Sequence, residues 1–177
     1  MGAQQLVLLI INGIGGAAVI GSYVLGLNAR SGGANALWGG VPAGIRPVYG
    51  ASMILAAAAY FAFLYFILFR LVPAEVRIAG RFGFALFYAI FLVILVASAL
   101  WMPLTNLYIG NPSAVIWIAV RGVLAFVGLG SLALFWALLA LQGNVPSAPY
   151  WAAVVGSGYF AFHTAVLDAI VWAALFK

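Results

Sequence analysis

Arg121, His163 and Asp168 carry the chemistry in this chain that most needs an explanation, because each lies inside an apolar stretch long enough to cross a bilayer. A bare charge at bilayer depth costs roughly 2.5 to 3.5 kcal/mol on insertion scales, so such a residue needs a partner or a wet cavity. Arg121 follows Ser113 by eight residues, and Asp168 precedes Lys177 by nine. On antiparallel helices rising 1.5 Å per residue, both lie ~12–14 Å in from the same end. Equal depth on consecutive helices predicts an Arg121–Asp168 ion pair, in which a bidentate contact neutralises both charges. The pair either locks the two helices together or leaves one partner facing a ligand cavity. His163, five residues before Asp168, falls on a different azimuth of an α-helix and reads as a hydrogen-bonded core residue before it reads as an axial metal ligand. Asn12, the strongly polar residue of its own stretch, is expected to bond to a neighbouring helix.

Other chemistry is sparse. The 177 residues include seven Lys and Arg, two acidic residues, one His and no Cys. Disulfides, thiol catalysis and Cys-based metal sites are excluded. No nucleophile–base or metal constellation can be assembled, so a non-enzyme is expected. Ion-coupled transport lacks its usual marks, paired mid-membrane acids and an inverted repeat. The net charge of +5 is thinly spread, which suits membrane orientation and lipid head groups and does not suggest nucleic acid.

The elements that must hold these residues follow from composition. The chain is 68% hydrophobic and 5% charged, against about 25% charged in a soluble domain whose surface must be hydrated. An integral membrane protein is expected, in a bacterial inner membrane or an organellar membrane. The first apolar run, Leu6 to Leu27, lacks a preceding basic region and is too long for a signal-peptide core, so it reads as an uncleaved span. Five stretches reach the ~20 residues that a spanning helix needs: 6–27, 48–72, 82–104, 114–141 and 150–176. Spanning segments must satisfy their own backbone hydrogen bonds, and alternating ten-residue segments of a β-barrel are missing. The expected fold is therefore all-α, a five-helix up-down bundle forming one transmembrane domain over 1–177, with short loops making antiparallel neighbours. The connections are a Gly-rich loop from Asn28 to Pro47, a basic turn from Pro73 to Arg81, and short uncharged breaks at 105–113 and 142–149. Arg70, Arg77 and Arg81 balance Arg30, Arg46 and Lys177 under the positive-inside rule. The tight clustering of the first group favours an inside N-terminus.

Trp101, Trp117, Trp172 and Tyr108 fall near span ends on one side, and Trp136, Tyr150 and Trp151 on the other. Interfacial belts are the ordinary place for such residues. Gly13, Ala17 and Gly21 recur every four residues, a spacing that admits a closely packed helix from the bundle or from another protomer.

Three stretches resemble the translocator-protein family, the tryptophan-rich sensory proteins of bacteria and organelles. Leu27-Asn28 followed by Trp38, Pro42, Pro47 and Tyr49 is similar to that family's first loop. Leu100-Trp101-Met102-Pro103 is similar to the Leu-Trp-Thr-Pro element closing its third span. Phe160 through Leu167-Asp168 to Trp172 has the spacing of its fifth-span motif, with Asp where the family has Asn. The chain departs from the family in having Gly39-Gly40 after Trp38 and Gly156-Ser157 in place of Pro-Tyr. The resemblance implies a five-helix bundle, usually dimeric, that binds tetrapyrroles such as porphyrin or haem, or sterol-like lipids, beneath the first loop.

The expected ligand site comprises Trp38, Tyr49, Trp101, Pro103, Trp117, Phe160 and His163. Flat apolar ligands stack on such rings, and Arg121 would meet a carboxylate if Asp168 left it free. The competing expectation is a non-catalytic accessory subunit of a respiratory or photosynthetic complex, whose small polar surface is covered by partners. Membrane lipids contact the chain under either reading.

Overall fold

The computed structural model describes residues 1–28, 33–143 and 146–176. Arg30 and Lys177, used above for orientation, lie outside the described residues. Five helices dominate: α1 (Ala3–Asn28), α2 (Arg46–Phe69), α3 (Ala85–Gly110), α4 (Ala114–Leu139) and α5 (Ala148–Leu175). All five are long and apolar enough to cross a membrane. Their starts carry ordinary signals. Ser113 and Ser147 cap α4 and α5, each hydroxyl accepting from a backbone N–H three residues on, which satisfies a donor the helix leaves free. Pro47 and Pro149 lie in the first turns of α2 and α5, where the missing N–H costs nothing.

Helix α3 continues past the expected end at Leu104 and through Pro103 to Gly110. Asn106 supports that extra turn, its side-chain amide donating to Met102 O and to Gly26 O on α1. The connection after α2 is more than a turn. A 3₁₀ turn at Pro73–Glu75 leads to the strand β1 (Arg77–Ile78), which pairs antiparallel with β2 (Leu141–Gln142). This small ribbon qualifies the all-α expectation. Two connections that look unrelated in sequence are clamped together, and Ala79 N–H adds a bond to Ala140 O.

Packing runs around the bundle in the order α1, α3, α4, α5, α2, with α1 and α2 touching only lightly. Short connections therefore make neighbours of α3 and α4, and of α4 and α5, but not of α2 and α3. Large rings hold those two backbones apart: Tyr60 and Phe63 on α2 meet Phe91 on α3 with ring centres 5.9 and 6.2 Å apart. They belong to a core that also buries Phe66, Phe87, Ile94, Leu134 and Leu138. Small residues bring α5 close to its flanks. A Cβ on Gly128 would lie 2.9 Å from Ala165 Cα, and one on Gly156 would lie 3.1 Å from Ala59 O.

On α1 the close approach is not where the four-residue repeat suggested. Gly13 and Gly21 have no atoms within 4 Å of an added Cβ, whereas Gly15 meets Leu95 and Gly26 meets Met102. The repeat faces outward, so it is not packing inside the bundle. Asn12 does bridge to α2: Tyr60 OH donates to Asn12 Oδ1, and the Asn12 amide donates to Leu8 O. The outer faces are apolar throughout, with Ile14, Leu25, Ile54 and Val115 each about 70% exposed.

Candidate functional site

One end of the bundle gathers the C-termini of α1, α3 and α5, the starts of α2 and α4, and the segment that follows α1. Trp38, Tyr49, Trp101 and Trp117 all join one aromatic cluster here, as their spacing predicted. At its middle are Trp172 and Phe176 of the last helix and the residue after it, with ring centres 4.5 Å apart. Trp172 also meets Trp101 at 5.4 Å and Trp117 at 6.2 Å, and Tyr23 meets Trp101 at 5.6 Å. The segment before α2 is fastened over this cluster. Trp172 Nε1 donates to Leu37 O at 3.0 Å, Arg46 Nε donates to Val41 O at 3.0 Å, and the Arg46 guanidinium lies over Trp38. Gly39 has φ +48°, and a Cβ there would lie 2.2 Å from Phe176 O. It is a fixed contact point with the end of α5.

Below the rings a polar chain crosses from α2 to α5. Ser52 Oγ lies 2.8 Å from Tyr159 OH and 2.8 Å from His163 Nδ1. On the other side of the imidazole, Nε2 lies 3.6 Å from Asp168 Oδ2. Tyr49 OH donates to Leu167 O at 2.8 Å beside it. Ser52 and His163 are buried, while the Asp168 side chain keeps 32% of its surface open.

Local winding makes this chain possible. Residues Phe162–Trp172 form a π-helix, in which backbone bonds run to the fifth residue and positions five apart stack. His163 and Asp168 thereby share a face that an α-helix would not give them. That is why the azimuth expected for His163 was wrong.

The Arg121–Asp168 pair is not formed. Asp168 turns inward to His163, which makes the one ion pair within 4.0 Å among the described residues. Arg121 belongs to the exposed stripe of α4, with Ile118, Ala125, Leu129 and Leu132, because Val120, Leu124 and Val127 take the inward face. Equal depth was a sound inference, but depth alone does not fix azimuth. Two further expected ligand residues also lie elsewhere. Pro103 is exposed on the outside of α3. Phe160 packs in the main core against Phe63 and Tyr60, with ring centres 5.5 and 5.8 Å away. Ser52, Tyr159 and Phe176 were missed. The signal for Tyr159 was its i, i+4 spacing to His163; an isolated Ser in an apolar helix gives none.

Ser, His and Asp are the residue types of a hydrolase triad, but this geometry differs. The Ser52 hydroxyl is shared with Tyr159 and buried, and 3.6 Å is too long for a directing hydrogen bond from His163. The arrangement is a hydrogen-bonded strut with a carboxylate at its open end. On α3, Trp101 Nε1 and Thr105 Oγ1 are buried without a hydrogen-bond partner among the described residues. Comparison of the chain with protein-family models, curated proteins and solved structures finds no match.

Proposed function

We propose that this chain is an integral membrane protein, an up-down bundle of the translocator type, that binds a flat apolar ligand in the aromatic end of the bundle. The observation that carries the reading is Trp101 Nε1, buried among stacked rings with no hydrogen-bond partner among the described residues, with Tyr23 5.6 Å away and the partly open Asp168 carboxylate at the same end of the bundle. A buried donor without an acceptor costs about 1–3 kcal/mol, and a ligand that supplies the acceptor recovers that cost. A group that accepts from Trp101 and donates to Asp168 fits both, such as the hydroxyl of a sterol-like lipid or the polar edge of a tetrapyrrole. Because the rings fill the space between them, the ligand enters as the Trp38 segment lifts and takes the place of ring–ring contacts. His163 serves in this reading as part of the polar strut that borders Asp168, not as a metal ligand.

Trp fluorescence of the purified protein, titrated with protoporphyrin, haem and a sterol, tests the reading. Saturable quenching is expected. Trp101→Phe, which keeps the ring and removes the N–H, should weaken binding about tenfold, the equivalent of ~1.4 kcal/mol. Absence of saturable quenching with porphyrins and sterols alike would favour the accessory-subunit reading. The exposed apolar face of α1 supports that alternative, since Gly13 and Gly21 there have nothing packed against them. Its mark would be stable co-purification with other subunits through α1, whereas self-association through the same face would give a homodimer.

A further inference from the structure

Arg121 is an exposed guanidinium in the midst of an apolar surface, and the position it occupies is a groove. Trp117, Arg121, Ala169, Ile170, Ala173 and Ala174 line a depression of about 350 Å³ between α4 and α5. It opens outward, since Ile118 and Ile170 on its rims are 69% and 62% exposed. The small side chains of α5 make it concave, and Trp117 forms its aromatic wall. Among the described residues its one charged group is a cation, and no carboxylate lines it.

We propose that this groove binds the head group of one anionic phospholipid, with the phosphate on Arg121 between Trp117 and the alanines and an acyl chain leaving past Ala169 and Ile170. The proposal rests on the membrane placement argued above but not on the ligand site. Depth supports a phosphate. The 26 residues of α4 span ~39 Å, against a hydrocarbon core of about 30 Å. Arg121 is the eighth residue of α4, ~10 Å from its start, so its Cα lies only ~6 Å inside the hydrocarbon boundary. A long arginine side chain reaches the head-group level from there with its stem along apolar surface. The groove runs from Trp117 and Ala174, nearest the helix ends, down to Arg121 and Ala169, so a head group entering from the membrane surface meets the guanidinium at its inner end.

A second copy of the chain suits the groove less well. The sequence has two acidic side chains, Asp168 and Glu75. Asp168 is engaged with His163, and Glu75 belongs to the connection between α2 and α3, at the end of the bundle opposite the start of α4. A copy therefore brings no carboxylate to Arg121, whereas an anionic head group does.

The test is native mass spectrometry of the full chain released from nanodiscs containing equal phosphatidylcholine and phosphatidylglycerol. One tightly retained phosphatidylglycerol is expected, enriched at least fivefold over phosphatidylcholine. Arg121→Gln should bring that ratio close to one, and Arg121→Lys should keep most of it. Ala174→Leu, at an exposed position, fills the groove without touching the charge and should lower retention of both lipids. Equal retention of the two lipids by the unaltered chain would overturn the proposal. So would an unchanged preference in Arg121→Gln, or a dimer that Ala174→Leu dissociates. Failure of the chain to enter nanodiscs would sink the membrane placement with it, while entry without lipid preference would count against the groove alone.

Discussion

Asp168 lies beside the imidazole of His163, deeper on its own helix, and not beside the guanidinium of Arg121, which is at its own depth. Its carboxylate lies 3.6 Å from His163 Nε2, and His163 is held in place by Ser52, whose hydroxyl also meets Tyr159. The energetic consequence is testable by double-mutant cycles, which isolate a pairwise interaction. Ser52→Ala combined with His163→Gln should show coupling of roughly 0.5–1.5 kcal/mol, in the range for interhelical hydrogen bonds in membranes. Arg121→Gln combined with Asp168→Asn should be additive. Thermal unfolding of the purified variants in one detergent measures both, and coupling confined to the second pair would contradict the inward orientation of Asp168. At this scale the polar residues themselves were legible, because His, Asp and Arg stand out in an apolar stretch. Their partners were not. Assigning partners from sequence requires azimuth, and azimuth was computed for an α-helix at the place where α5 winds as a π-helix.

The helices were legible from length and apolarity alone: all five begin within three residues of the expected positions, and the largest difference is the extension of α3 to Gly110. What sequence concealed were features decided by contact between distant segments. The β1–β2 clamp joins residues more than sixty positions apart, and nothing in Arg77–Ile78 or Leu141–Gln142 marks them as partners. Glycine usage was equally deceptive: the regular Gly13–Gly21 repeat faces outward, while Gly39, at φ +48°, holds a close contact with the backbone oxygen of Phe176. Gly39→Ala forces a left-handed backbone on a residue with a side chain, at a cost of about 1–3 kcal/mol, and drives a Cβ into Phe176 O. The segment from Leu37 to Val41 should then detach from α5, loosening the contacts of Trp38 with Tyr49 and of Trp172 with Leu37 O. A lower melting temperature with red-shifted Trp emission is the expected outcome. Unchanged emission would mean that the segment is not held by this contact. If ligand enters by lifting that segment, the same variant should also bind and release porphyrin faster.

At the scale of the whole molecule, two ends of different character emerge from one apolar cylinder. One end holds the rings, the polar chain and the segment with Trp38. The other brings the start of α1 to the end of α2, where the Gln5 amide donates to Leu68 O and Leu71 O, and holds Arg70, Arg77 and Arg81 around the β1–β2 clamp. Three arginines within twelve residues, tied to a folded ribbon instead of a loose loop, form a compact basic cap. Basic residues close to span ends are the ones that set orientation. The cap is therefore expected to stay on the cytoplasmic side and to take the N-terminus of α1 with it, leaving the aromatic end and its ligand entrance on the far side. An odd number of spans places Gly2 and Lys177 on opposite faces. Reporter fusions at those two residues should accordingly report a cytoplasmic Gly2 and a translocated Lys177. Replacing Arg77 and Arg81 together by Gln should yield a mixed or inverted population, since Arg30, Arg46 and Lys177 would then outnumber what remains of the cap. Fusions landing on one face would end the five-span reading, and an unmoved topology in the double variant would show that the cap does not set it.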